Sequence, residues 1–234
     1  MNPRSDLDKE SLAWFHVNAG AGRAPLLAAA AFLRERLGDI KIAGRCRVIM
    51  QSLSGQLLIA SPTLADPNFA RAVVLVAVHG DDGALGLILN RELAMTLDDV
   101  WGQVSNAPCV RSEKVHHGGP VTGTLMALHE NRSLANLVVA DDIYVATELN
   151  TMESLAGSEE GRVLFYLGHS GWGPGQLENE LGEGSWLLLP ATSAHVFGDL
   201  DAIALWKLAM TDASRRQLRA IVPVKHIPEN PRAN

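Results

Sequence analysis

The rhythm of apolar and polar positions changes near residue 55. Before that point the clearest pattern is helical. Leu26, Ala30, Leu33 and Leu37 recur on one face, Pro25 suits a first turn and Gly38 a stop. The spacing predicts a helix over residues 24–37, placed to cover the main domain or to bind a partner. It follows a lead-in (residues 1–22) in which "NAGAG" reads as a flexible spacer. From Gly55 onward, short apolar runs alternate with turn residues. "QLLIAS" and "AVVLVAVH" read as strands separated by the two-proline turn "PTLADPNFA". "GDDG" then joins "AVVLVAVH" to "ALGLILN" as a hairpin.

A helix is expected at "TLDDVWGQV", where Thr96 caps and Asp98 and Asp99 favour the first turn. "KVHHGGPV" and "GTLMALHE" predict strand, turn and strand, and "ANLVVAD" and "IYVAT" two more strands. "NTMESLAG" predicts a short helix capped by Asn150 and ended by Gly157. "RVLFYLGH" is a strand, Pro174 to Leu181 a short helix, "SWLLLP" a strand and "DLDAIALWKLAM" an amphipathic helix. There is no internal repeat. Hairpins in the first half and alternating elements in the second predict an α+β fold rather than a regular doubly wound sheet. Residues 1–45 form an extension with one helix, and residues 46–234 a single compact domain.

Composition adjusts this picture only slightly. With 234 residues, 47% hydrophobic and 20% charged, the chain can bury a real core. The net charge of −6 argues against a protein that holds nucleic acid through phosphate contacts. From Lys207 to the end, six basic side chains face two acidic ones, which gives +4 there and leaves −10 for the rest. No recognised DNA-reading motif is present, and at 5% aromatic residues no stacking platform is evident. The two cysteines, Cys46 and Cys109, form no CxxC, which favours a reducing, cytoplasmic setting. No apolar run reaches the roughly 20 residues that span a bilayer, and "LLAAAAFL" lacks the flanks of a signal peptide.

The chemical question sits in "VLFYLGHSGWGPGQLENELGEGSW". A serine in a turn between a strand and a helix is how a serine hydrolase displays its nucleophile. Ser170 has Gly168 two residues before it, as that elbow needs. Two residues after it stands Trp172, where the elbow needs a small side chain. A trio of Ser170, Asp199 or Asp201, and His226 has the right chain order, but such trios arise readily by chance. The glycine-rich loop lacks a phosphate-binding signature, and Pro174 removes one N–H. His79, His117, His129 and His169 lie near strand ends, without HExxH or H-x-H spacing. Neither a metal nor a cofactor is expected.

Three stretches together carry a family resemblance: "GQLLIASPTLADPNFARAVVLVAVHGDDGALGLILNR", "HHGGPV" and "YLGHSGWGPGQLENELGEGSWLLLP", with "LWKLAM" near the end. From about Ser54 to about Asn230 the chain resembles the AlgH/YqgE family of bacterial proteins. The resemblance implies a curved or partly closed mixed sheet surrounded by helices. It implies no established catalytic activity, and it brings a link to regulation of gene expression. It also implies that the Ser170 position is often alanine in relatives while the tryptophan and "GQLE" recur, so that Ser170 is not a nucleophile. Here Asn90-Arg91 is followed by Glu92, where relatives usually carry proline.

The expectation is thus a cytoplasmic binding or regulatory protein without catalytic residues. Its partner is a protein or a small-molecule ligand, with no direct nucleic-acid or membrane binding. The candidate binding residues lie in the family-matching turns: Asp66, Asn90, His117, Gly119, Trp172 and Gln176. The competing expectation is a hydrolase using strand-end groups (His79, His117, His169, Asn90 and Ser170).

Overall fold

The computed structural model describes residues 52–221. The helix expected at 24–37, Cys46 and His226 lie outside them. The strands are β1 (Gln56–Ala60), β2 (Val73–Gly80), β3 (Gly83–Ile88), β4 (Glu92–Thr96), β5 (Lys114–His117), β6 (Val121–His129), β7 (Leu137–Ala140), β8 (Ile143–Ala146), β9 (Val163–Trp172) and β10 (Trp186–Pro190). The helices are α1 (Leu97–Val104), α2 (Leu149–Ala156), α3 (Gln176–Gly182), α4 (Ser193–Phe197) and α5 (Ala202–Ile221).

The main sheet runs β10-β1-β2-β3-β9-β6-β8-β7, all antiparallel. β5 adds a parallel pairing to β9 and carries β4 with it, which makes the sheet mixed. It curls into a half-barrel, so that β2 and β7, with four strands between them in the order, come back into contact. The fold is α+β, as the element pattern predicts.

Burial on both faces explains the unbroken apolar runs. On β1, Leu57 and Ile59 enter the core inside the curl, beneath Leu205 and Ala209 of α5. Leu58 and Ala60 face the other way, toward Trp172, Leu177 and Trp186. On β6, Met126 and Leu128 join the first core, while Leu125 and Ala127 join a third made with α1 and α2. Alternating residues of one strand thus serve two cores, a consequence of the two-residue strand period.

Four local expectations are corrected. Ser170 is not in a turn: β9 continues through "GHSGW" because that stretch pairs along β3, Gly86 with Ser170 and Ala84 with Trp172. Glycines that read as a loop signal instead let neighbouring backbones approach. β4 was not anticipated, although Leu93 and Met95 point inward and Glu92 and Ala94 outward. α2 begins after Glu148, which places Asn150 inside the first turn rather than at the cap; Gly157 ends it as expected. α3 starts at Gln176, two residues later than Pro174, behind Gly175 in a left-handed conformation. The Thr96 start of α1 is as predicted, with Asp99 accepting from the Thr96 main-chain N–H at 2.7 Å.

Candidate functional site

Four of the six candidate residues fall into two groups, Asp66 with Asn90 and Trp172 with Gln176, and His117 and Gly119 belong to a glycine turn. Asn90 follows β3, and its side chain ties three segments together. Its Oδ1 accepts from the Val73 N–H at 2.9 Å, and its Nδ2 donates to the carbonyls of Arg71 and Ala202, each at 2.9 Å. Arg71 has a positive φ of 58°, and this bond helps to hold it there. Next to Asn90, Arg91 donates to the carbonyls of Pro67 and Ala70. Burial lowers the Arg91 pKa, partly opposed by Asp66. Asp66 itself is exposed, and its Oδ1 accepts from the Asn68 N–H as ordinary turn chemistry.

The second group is aromatic. Phe69 stacks on Trp172, with centroids 6.0 Å apart, and meets Trp186 edge-on at 5.4 Å. The indole N–H groups of Trp172 and Trp186 both donate to Oε2 of Glu180, at 3.0 and 2.8 Å. Gln176 donates to Oε1 of the same carboxylate at 2.9 Å, and its own Oε1 accepts from the Gly173 N–H. Glu180 and Trp186 were not singled out in the sequence. The signal that could have found Glu180 is its four-residue spacing from Gln176 on one helix face.

Beneath these groups lies the Gly118-Gly119 turn. The Gly118 carbonyl accepts from the Ile88 N–H at 3.0 Å and from Ser170 Oγ at 3.2 Å. Gly119 has φ +151°, and a Cβ there would overlap Ser170 Oγ and the main chain of His169. Gly168 has φ +74°, and a Cβ there would lie 2.7 Å from the Val121 carbonyl. Both positions therefore require glycine. His117 is buried, and its main-chain N–H donates to the Arg91 carbonyl at 2.7 Å, linking this turn to the Asn90 group.

Ser170 is fully buried. His169 points to the opposite face of β9, where its Nδ1 lies 3.5 Å from Thr124 Oγ1, and burial lowers its pKa. Serine and histidine are thus neighbours in sequence and not partners in space. Asp201, a member of the possible triad, caps α5 by accepting from the N–H groups of Ile203 and Ala204 at 2.9 Å each. His79 sits apart from Ser170. Its Nδ1 accepts from the Leu53 N–H at 3.2 Å, which leaves the proton on Nε2 to donate to Glu178 at 2.8 Å. Among the described residues, no three His, Cys, Asp or Glu side chains are placed to hold a metal ion.

A profile described as AlgH-like matches residues 57–216, a span that includes both groups and the glycine turn. The chain belongs to the AlgH-like family. A UPF0301 protein of Azoarcus sp. (strain BH72) is 40% identical over 153 residues, covering 62% of this chain and 81% of its own. A UPF0301 protein of Xanthomonas campestris pv. campestris (strain B100) is 37% identical over 169 residues, covering 69% and 89%. The solution structure of AlgH from Pseudomonas aeruginosa superposes with a TM-score of 0.58 at 31% identity, covering 76% of this chain and 94% of that one. A crystal structure of a Corynebacterium diphtheriae protein, 22% identical, has the same fold at a TM-score of 0.57 over 68% and 85%. Among the described residues no helix is long and apolar enough to cross a membrane.

Proposed function

We propose that this AlgH-like protein is a cytoplasmic binding protein with a regulatory role. Its working surface is the band from the Asp66 turn, across Phe69, to the Gly173–Gln176 turn. The observation that carries this reading is the enclosure of Ser170: its hydroxyl has no exposure and donates to the Gly118 carbonyl. A nucleophile needs a base within hydrogen-bond reach and a path to substrate. The exposed residues here are instead Asp66, Pro67, Gly173, Pro174 and Gln176, held over a rigid aromatic base. Rigid, well-packed support under an exposed polar rim suits recognition of a partner. The family resemblance's link to gene regulation, in a sequence that carries no recognised DNA-reading motif, favours a protein or a small molecule as that partner.

Two measurements test the reading. A fluorophosphonate probe is expected to leave Ser170 unlabelled; labelling that Ser170→Ala abolishes would restore the hydrolase. A photo-crosslinker in place of Gln176 is expected to give a discrete adduct in cells that the same group at Val138 does not. Identical adduct patterns at the two positions would remove the band from consideration.

A further inference from the structure

The extension that precedes Ser52 joins the domain at a defined place. The Gly55 N–H donates to the Val76 carbonyl at 2.9 Å, the Leu53 N–H to His79 Nδ1 at 3.2 Å and Ser52 Oγ to the His79 carbonyl at 3.2 Å. These bonds prolong the antiparallel register of β1 on β2, in which Ile59 faces Val73 and Leu57 faces Leu75. Carried back by the same count, that register directs the residues before Ser52 toward Asp81 and Asp82, at the tip of the β2–β3 hairpin. The tip adjoins the Gly173–Gln176 turn: a Cβ on Gly83 would lie 2.1 Å from the Trp172 carbonyl oxygen. The ring that receives Leu53 is also tied to α3, since His79 Nε2 donates to Glu178 at 2.8 Å.

Charge agrees with that path. Neither residues 72–90 nor residues 163–206 contain a single Lys or Arg. Asp81, Asp82 and Glu183 are exposed around the point of entry, with Glu178 and Glu180 partly buried beside them. The last two accept from neutral donors, His79, Gln176 and the two indoles, which share their charge without cancelling it. Arg71 and Arg91 flank the opposite end of the hairpin, about 26 Å of strand away. Acidity alone selects no ligand; the direction of the chain does. The residues that arrive here, "IKIAGRCRVIMQ" (40–51), carry Lys41, Arg45 and Arg47 and no carboxylate. Arg47 stands five residues before Ser52, a reach of about 17 Å when extended, whereas Glu178 to Glu183 covers only about 8 Å of helix. One exposed ion pair contributes little, but three cations tethered beside the carboxylates act at high effective concentration. We propose that residues 40–51 dock on this acidic face, with Lys41, Arg45 and Arg47 set against Asp81, Asp82 and Glu183. Docked there, the segment screens the neighbouring Gly173–Gln176 turn from a basic partner. The docking itself does not require that turn to have one.

Cys46 lies between Arg45 and Arg47 and serves as the reporter. In the full chain carrying Cys109→Ser, a nitroxide on Cys46 is expected to broaden the amide signals of Glu180 to Glu183. The Asn131 turn, beside the other end of β9, is expected to keep its signals sharp. Lys41→Glu, Arg45→Glu and Arg47→Glu together should remove most of the broadening on α3, because the label is then held by its tether alone. Adding Asp81→Lys, Asp82→Lys and Glu183→Lys, all at exposed positions, should bring it back. The proposal is overturned if the α3 signals stay sharp with the native charges. It is equally overturned if reversing the three cations leaves the broadening unchanged, so that tether or apolar contact places the segment, or if the charge swap fails to restore it. The cross-linking result at Gln176 enters none of these outcomes, so the two readings stand or fall separately.

Discussion

Trp172 and Trp186 share a single acceptor: both indole N–H groups donate to Glu180 Oε2. The two rings meet edge-on at 6.3 Å, so one carboxylate on α3 joins the end of β9 to the start of β10. A residue outside the expected site thus sets the geometry of two tryptophans.

Trp172→Ala is expected to destabilise the domain by about 3–5 kcal/mol, the usual range for truncating a buried tryptophan. Trp172 is 5% exposed, so packing is the larger part. Glu180→Ala, which leaves the indole donors without their acceptor, is expected to remove about 1–3 kcal/mol. Combined with Trp172→Phe, it should be non-additive, because the same hydrogen bond is lost in each. Urea midpoints of the four proteins in the cycle measure this. Additive effects would show that the shared carboxylate contributes nothing beyond ring packing.

Gly119→Ala is expected to lower stability by about 2–5 kcal/mol, backbone strain and overpacking together. The new Cβ meets main-chain atoms of His169 and Ser170, which cannot swing aside. Ser170→Ala removes one of the obstructing atoms and should relieve only part of the loss. Thermal unfolding of the single and double variants decides it; an undiminished melting temperature for Gly119→Ala alone would contradict the close approach of the two turns.

Stability is expected to fall as pH drops from about 6.5 toward 5. His116, His129 and His169 all have their pKa lowered, burial being the largest cause in each. A histidine whose folded pKa lies below its unfolded value binds its proton more readily when unfolded. The stability it contributes is therefore complete above the unfolded pKa and lost as pH falls toward the folded one. His129→Phe should flatten the dependence of the urea midpoint on pH over this window. A slope equal to that of the wild type would show that His129 takes up its proton as easily in the fold as outside it.

Strands such as "AVVLVAVH" and "VLFYL" were readable from local pattern, because a strand buried on both faces needs an unbroken apolar run. The Thr96 start of α1, the Gly157 stop of α2 and the α+β class were legible for similarly local reasons. The unsuitability of Trp172 for a nucleophile elbow was a one-residue steric argument that needed no coordinates. What the sequence determined by itself was therefore most of the strands and helices, the α+β class and the family, but not β4, α4 or the path of the chain through Ser170. The extension of β9 through "GHSGW" was not legible: whether glycines bend a chain or admit a neighbour depends on which strand lies alongside, and that strand, β3, is more than eighty residues away. The same holds for Glu180 serving two tryptophans, for Asn90 bridging Val73, Arg71 and Ala202, and for His129 ending without a partner. Hydrogen bonds between distant segments follow from the sheet order, and that order is set by how all the apolar faces are buried at once, which only the tertiary structure decides.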